Sequence, residues 1–86
     1  MVFEFDPEKS ASNRNKHNID FVEAQDLWDD PDRVVIPAKN LDEPRYLLIA
    51  KRDGLIWSAI YTVRGQNIRI ISVRRSRRNE EELYES

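Results

Sequence analysis

Two tight-turn signals constrain this chain more than any other feature. Asp53-Gly54 and Gly65 cut the stretch from Arg45 to Arg74 into three short runs rich in β-branched and aromatic residues. An Asp-Gly pair between such runs is a strong hairpin signal, because the favoured two-residue turn needs positive φ at its centre. Runs this short, joined by turns this tight, pair as antiparallel neighbours. The expected strands are Arg45 to Lys51, Leu55 to Val63 and Asn67 to Arg74, preceded by the β-branched segment Val34 to Ile36.

The first third of the sequence has a different pattern. Val2 to Phe5 is a short strand. Asp6-Pro7 then supplies an N-cap followed by proline at the first helical position, which predicts a helix from Pro7 to about His17. Asn18 suits a left-handed stop. Asp20 and Glu23 form an acidic variant of the capping box, with Ile19 placed to staple onto Ala24. Phe21, Ala24 and Trp28 recur at helical spacing with Leu27 beside them, so this second helix turns an apolar face to the core. Asp29-Asp30-Pro31-Asp32 ends it and reads as a solvated turn rather than a metal cluster, since no further ligands follow at a recognisable spacing. Asn79 and three glutamates open a terminal helix that closes near Tyr84. The expected fold class is therefore α+β, with residues 1–86 as a single domain. The expected element order is β-α-α-β-β-β-β-α, with an antiparallel sheet and the helices packed on one face.

Length and composition exclude several functions. With 86 residues there is no room for a doubly wound nucleotide-binding sheet or a cleft between lobes. Without cysteine there is no disulfide framework, thiol nucleophile or thiolate metal site. The longest apolar run, Tyr46 to Ala50, is far too short to span a membrane, and the acidic start MVFEFDPEK lacks the pattern of a signal peptide. A cytoplasmic protein is expected, with no cofactor and no membrane partner.

The net charge of −2 hides an asymmetry. Residues 1–45 carry 11 acids and 6 bases, whereas residues 46–86 carry 5 acids and 8 bases. Arg64, Arg69, Arg74, Arg75, Arg77 and Arg78 fall in a stretch without an acid or a lysine. A guanidinium presents a planar fork of donors that matches phosphate oxygens, so this stripe points to a polyanion such as RNA or DNA. A solubilising strand edge and a surface for an acidic partner are the alternatives.

The first helix has Ala11 as its only apolar residue, so it buries little by itself. Lys9, Asn13, Lys16 and His17 share one arc of it, at offsets of four, seven and eight. The only imidazole of the chain thus sits beside two ammonium groups, either as a proton-transfer group or as part of a solvated face with His17 satisfying a terminal carbonyl. In the last hairpin, a loop of Gly65 and Gln66 sets Arg64 opposite Asn67, Thr62 opposite Arg69, Tyr61 opposite Ile70 and Ala59 opposite Ser72. One face then carries Trp57, Tyr61, Ile68, Ile70, Ser72 and Arg74. The other carries Thr62, Arg64, Arg69, Ile71 and Arg75, and presents a cluster of guanidinium groups to solvent or ligand.

The pieces FEFDPEK, NRNKHNIDFVEA, YTVRG and IRIISVRRSRR, in this order and closed by Tyr84, resemble the BrnT family of type II toxins from Phe3 to Tyr84. Lys16-His17-Asn18 departs from the Lys-His-Gly common in that family, and asparagine can replace glycine as a left-handed cap. The resemblance implies a RelE-like ribonuclease fold and a toxin that cleaves RNA and inhibits translation. It also implies neutralisation by a BrnA-like ribbon-helix-helix antitoxin, with DNA bound only through the antitoxin complex. The resemblance does not assign the individual roles; by the chemistry of their side chains, Arg64, Arg69 and Arg75 are expected to clamp the phosphate, without a metal because no ligand set for one is visible. His17 or Lys16 would move protons, with Tyr61 or Tyr84 as a possible partner. Lys9, Asn13, Arg74, Arg77, Arg78 and Tyr84 are expected to bind the RNA. A module that binds RNA or DNA through the Arg64–Arg78 stripe without cleaving it is the alternative.

Overall fold

Both expected turns are present in the computed structural model, which describes residues 1–39 and 42–86. Asp53 and Gly54 have φ of 51° and 79°, the paired positive values of a two-residue hairpin. Gly65 has φ of 60°, and Arg64 lies opposite Asn67. The strands are β1 (Val2–Glu4), β2 (Val34–Ala38), β3 (Arg45–Arg52), β4 (Leu55–Arg64) and β5 (Asn67–Arg75). They form one sheet in the order β1-β5-β4-β3-β2. Helix α1 (Pro7–His17) follows β1, and helix α2 (Arg78–Glu85) follows β5. The class is α+β. None of the described helices is long and apolar enough to cross a membrane.

The sheet is mixed rather than wholly antiparallel. β1 runs parallel to β5, with Val2, Phe3 and Glu4 opposite Asn67, Ile68 and Arg69. The turn signals govern only sequential neighbours, and this pairing joins segments more than sixty residues apart.

The second helix is a 3-10 helix, Glu23–Asp29. Its capping box forms as expected: Glu23 N–H donates to Asp20 Oδ1 at 2.7 Å, and Asp20 N–H donates to Glu23 Oε1 at 3.0 Å. The tighter winding suits the sequence. At three residues per turn, Phe21, Ala24 and Leu27 line up on one side, and all three are buried. With Ile19 and Trp28 they pack on Leu48, Ala50, Trp57, Ala59, Tyr61, Ile70 and Val73. Edge-to-face aromatic contacts run from Phe3 to Trp28 (5.1 Å) and from Trp28 to Tyr61 (5.2 Å).

Not all the helices lie on one face. On the opposite side of the sheet, Leu47, Ile49 and Ile56 form a smaller core against Tyr84 of α2. The turn at Asp29–Asp32 takes part in this. Its Asp30 carboxylate accepts hydrogen bonds from Tyr84 Oη (2.6 Å) and Lys51 N–H (2.8 Å), so it fastens α2 to β3 instead of merely facing solvent. Burial opposes the charge on Asp30, but these donors outweigh it and hold the carboxyl below its usual range. The same carboxylate pushes the Tyr84 hydroxyl up to about 12.

The hairpin register departs from the simple alternation at one place. Tyr61 faces Ile70 as expected, but Ile60 faces Ser72 and Ala59 faces Val73. Ile71 is therefore an extra residue, a β-bulge in β5. From that point each side chain of β5 swaps faces. Val73 replaces Ser72 in the larger core, and Arg75 moves to the face of Trp57 while Arg74 moves away from it.

Candidate active site

Helix α1 starts and stops where its capping residues dictate. Asp6 accepts from Glu8 N–H at 2.9 Å, and Asn18 closes the helix with φ of 64° and a hydrogen bond to the Arg14 carbonyl. Its buried residues are polar, Ser10 and Asn13. This explains how a helix without an apolar stripe can dock. Ser10 Oγ accepts from Phe21 N–H at 2.9 Å. Asn13 Nδ2 donates to the carbonyls of Ile19 (2.7 Å) and Val73 (2.9 Å), and Asn13 Oδ1 accepts from Val73 N–H at 3.2 Å. β1 ends at the level of Arg69, so beyond it the outer edge of β5 lacks this strand partner, and the Asn13 amide bonds to that edge.

This docking opens a cleft between α1 and the bulge of β5. Its volume is about 190 Å³, and it is lined by Lys9, Ser12, Asn13, Lys16, His17, Ile71 and Ser72. Lys9, Ser12, Lys16, His17 and Ser72 are exposed, whereas Asn13 is buried. No carboxylate lines the cleft. It joins two ammonium groups, an imidazole and two hydroxyls around a space fit for an anion. Among the described residues, no group of three or more His, Asp or Glu side chains could hold a metal ion.

The arginines do not converge on this cleft. Arg69 pairs with Glu4 at 3.3 Å. The hydrogen bond from Asn67 to Glu4, with that from Arg69, draws the Glu4 carboxyl down despite some burial. Arg74 binds Glu80 with both terminal nitrogens, at 2.7 and 2.9 Å. Glu80 also accepts from Ser58 Oγ (2.9 Å) and Arg77 N–H (2.8 Å). Arg74 is the main cause that holds the Glu80 carboxyl at about 2. Arg75 lies 5.5 Å from the Trp57 ring centre and donates to the Ile56 carbonyl. Arg78 approaches Glu82 at 3.8 Å. Arg64 and Arg77 are exposed, without a close ion-pair partner among the described residues.

The expected set thus divides. Lys9, Asn13, Lys16 and His17 meet at one cleft. Arg64 and Arg69 lie on the face opposite Tyr61, and the bulge parts them from Arg75. Tyr61 is buried between Trp28 and Tyr46, and burial raises its hydroxyl pKa. Tyr84 is engaged by Asp30 on the far face. Ser12 joins the cleft without having been singled out, although its helical offset of three from Lys9 and four from Lys16 puts it on the same arc.

A family model described as "Ribonuclease toxin, BrnT, of type II toxin-antitoxin system" matches residues 5–80. A comparison with curated proteins finds no match.

Proposed function

Because the chain belongs to the BrnT family of ribonuclease toxins of type II toxin–antitoxin systems, we propose that the α1–β5 cleft is its active site and that it cleaves RNA there without a metal ion. The observation that carries this is the juxtaposition of Lys9, Lys16 and His17 with Ser72 around one anion-sized space. RNA brings its own nucleophile. The 2′-oxygen bonds to phosphorus, its proton passes to a base, the bond from phosphorus to the 5′-oxygen breaks, and that oxygen takes a proton from an acid. The products are a 2′,3′-cyclic phosphate and a 5′-hydroxyl. Lys9 and Lys16 stabilise the charge that builds on the phosphoryl oxygens. His17 is the proton-transfer group, since its imidazole, with one nitrogen able to accept a proton and one able to donate it, lines the cleft. Arg64, Arg77 and Arg78 hold the flanking phosphates of the strand, with Arg69 and Arg75 as further contacts, and their guanidinium groups act by charge alone. Tyr61, Arg74 and Tyr84 hold the frame.

The toxin acts on RNA in the cytoplasm and so stops translation. A cognate BrnA-like ribbon-helix-helix antitoxin neutralises it and carries any DNA binding of the complex. The frame is of the RelE-like type.

Purified protein incubated with RNA and a chelator tests the enzymatic reading. Fragments ending in a cyclic phosphate are expected. Salt-sensitive retention of RNA without scission would instead identify a binding module. In cells, induction of this chain alone should arrest growth, and co-expression of the antitoxin should relieve the arrest.

A further inference from the structure

The proposal that follows rests on the α1–β5 cleft being the active site. The side chain at the centre of the cleft-lining arc is the buried one. Asn13 lies between Lys9, one turn before it, and Lys16 and His17, one turn after it. It is 6% exposed, whereas all three of those neighbours are exposed. Both of its donor hydrogens and one lone pair of its oxygen are already engaged within the protein. Both amide hydrogens go to carbonyls, of Ile19 and Val73, and the amide oxygen takes the Val73 N–H. Ser10 ties α1 only to the segment that follows it in sequence, at Phe21. Asn13 makes the polar link from α1 to the catalytic side of β5, at the residue next to Ser72.

We propose that Asn13 is a positioning residue that sets the distance from His17 and the two lysines to the bulged strand, and that it does not bind RNA. α1 has no apolar stripe to hold it in register, since its buried side chains are Ser10 and Asn13. Loss of the amide therefore lets the cationic face shift along the edge of β5. A misplacement of about 1 Å in a catalytic group can cost on the order of a hundredfold in rate. The affinity for RNA depends on long, exposed cations and should change little.

The test is a double-mutant cycle on the full chain, with kcat and KM measured on a short RNA. Asn13→Ala and Asn13→Ser are each combined with His17→Ala. The expected result is a loss of about ten- to a hundredfold in kcat for either Asn13 variant. KM should stay within about twofold, and each Asn13 variant should cost a smaller factor in kcat in the His17→Ala background than in the native protein, the remaining loss coming from the misplaced lysines. A rise in KM at constant kcat, or the full factor lost again on top of His17→Ala, would overturn the positioning role. Full activity in His17→Ala would overturn the assignment of His17 and this proposal with it. A second measurement needs no variant. The side-chain amide resonances of Asn13 in the native protein should stay in place when a non-cleavable 2′-deoxy oligonucleotide is added, while the imidazole resonances of His17 move. Direct perturbation of the Asn13 amide would refute the proposal.

Discussion

Replacing Glu80 with glutamine should flatten the acid limb of the stability curve. Glu80 is 6% exposed and collects four donors, from both terminal nitrogens of Arg74, from Ser58 and from the Arg77 backbone. Its carboxyl moves from 4.5 to about 2, with the Arg74 hydrogen bonds as the largest cause. At about 1.4 kcal/mol per pH unit, the charged carboxylate contributes roughly 3 kcal/mol to folding at neutral pH. The sign follows from a folded pKa below the unfolded one. The contribution is complete above about pH 4.5 and is lost as pH falls toward 2. In Glu80→Gln, Arg74 keeps a neutral acceptor but loses its counter-charge, which costs about 3 kcal/mol in a buried pair. Urea unfolding of both proteins between pH 7 and pH 2 measures the difference. The native protein should lose about 3 kcal/mol more than the variant over that range. Parallel pH profiles would refute the reasoning, because they would mean that the pair is held no better in the fold than in the unfolded chain.

Other changes test the remaining contacts. Tyr84→Phe removes the hydrogen bond to Asp30 and should cost about 1–2 kcal/mol by urea unfolding at neutral pH. Because the Tyr84 hydroxyl is raised from 10 to about 12, its contribution is present below pH 10 and is lost as pH rises toward 12, so the two proteins should converge there. Asn18→Gly relieves a left-handed residue at the α1 terminus, where φ is 64°, and should stabilise the protein by about 0.5–1 kcal/mol, read as a higher Tm. Arg64→Ala should weaken RNA binding about equally for all sequences and reduce the salt slope by about one counterion, measured by titration at several salt concentrations.

Much of this fold is written in local signals. Asp6-Pro7 and Asn18 bound α1, Asp20 and Glu23 close the capping box, and Asp53-Gly54 and Gly65 set two hairpins. The cleft side of α1 was legible too, because Lys9, Lys16 and His17 share an arc by helical geometry alone. The fate of the arginines was not. Their stretch contains no acid, but Glu4 and Glu80 reach Arg69 and Arg74 from β1 and α2, and neither pairing has a local signature. The bulge at Ile71 was equally silent. No glycine or turn residue marks it, and one extra residue reverses which side of the sheet Ser72, Arg74 and Arg75 occupy. The side chosen by α2 depends on Tyr84 finding Asp30, a contact across 54 positions in the sequence.

The central claim is that chemistry occurs between α1 and the β5 bulge, while the exposed arginines only hold the strand. Single-turnover cleavage at saturating protein separates the two roles. Lys16→Ala and His17→Ala should lower the saturated rate by about a hundredfold or more, and Arg64→Ala should leave that rate unchanged while raising the concentration needed to reach it. A saturated rate that survives both cleft substitutions and collapses in Arg64→Ala would contradict the account.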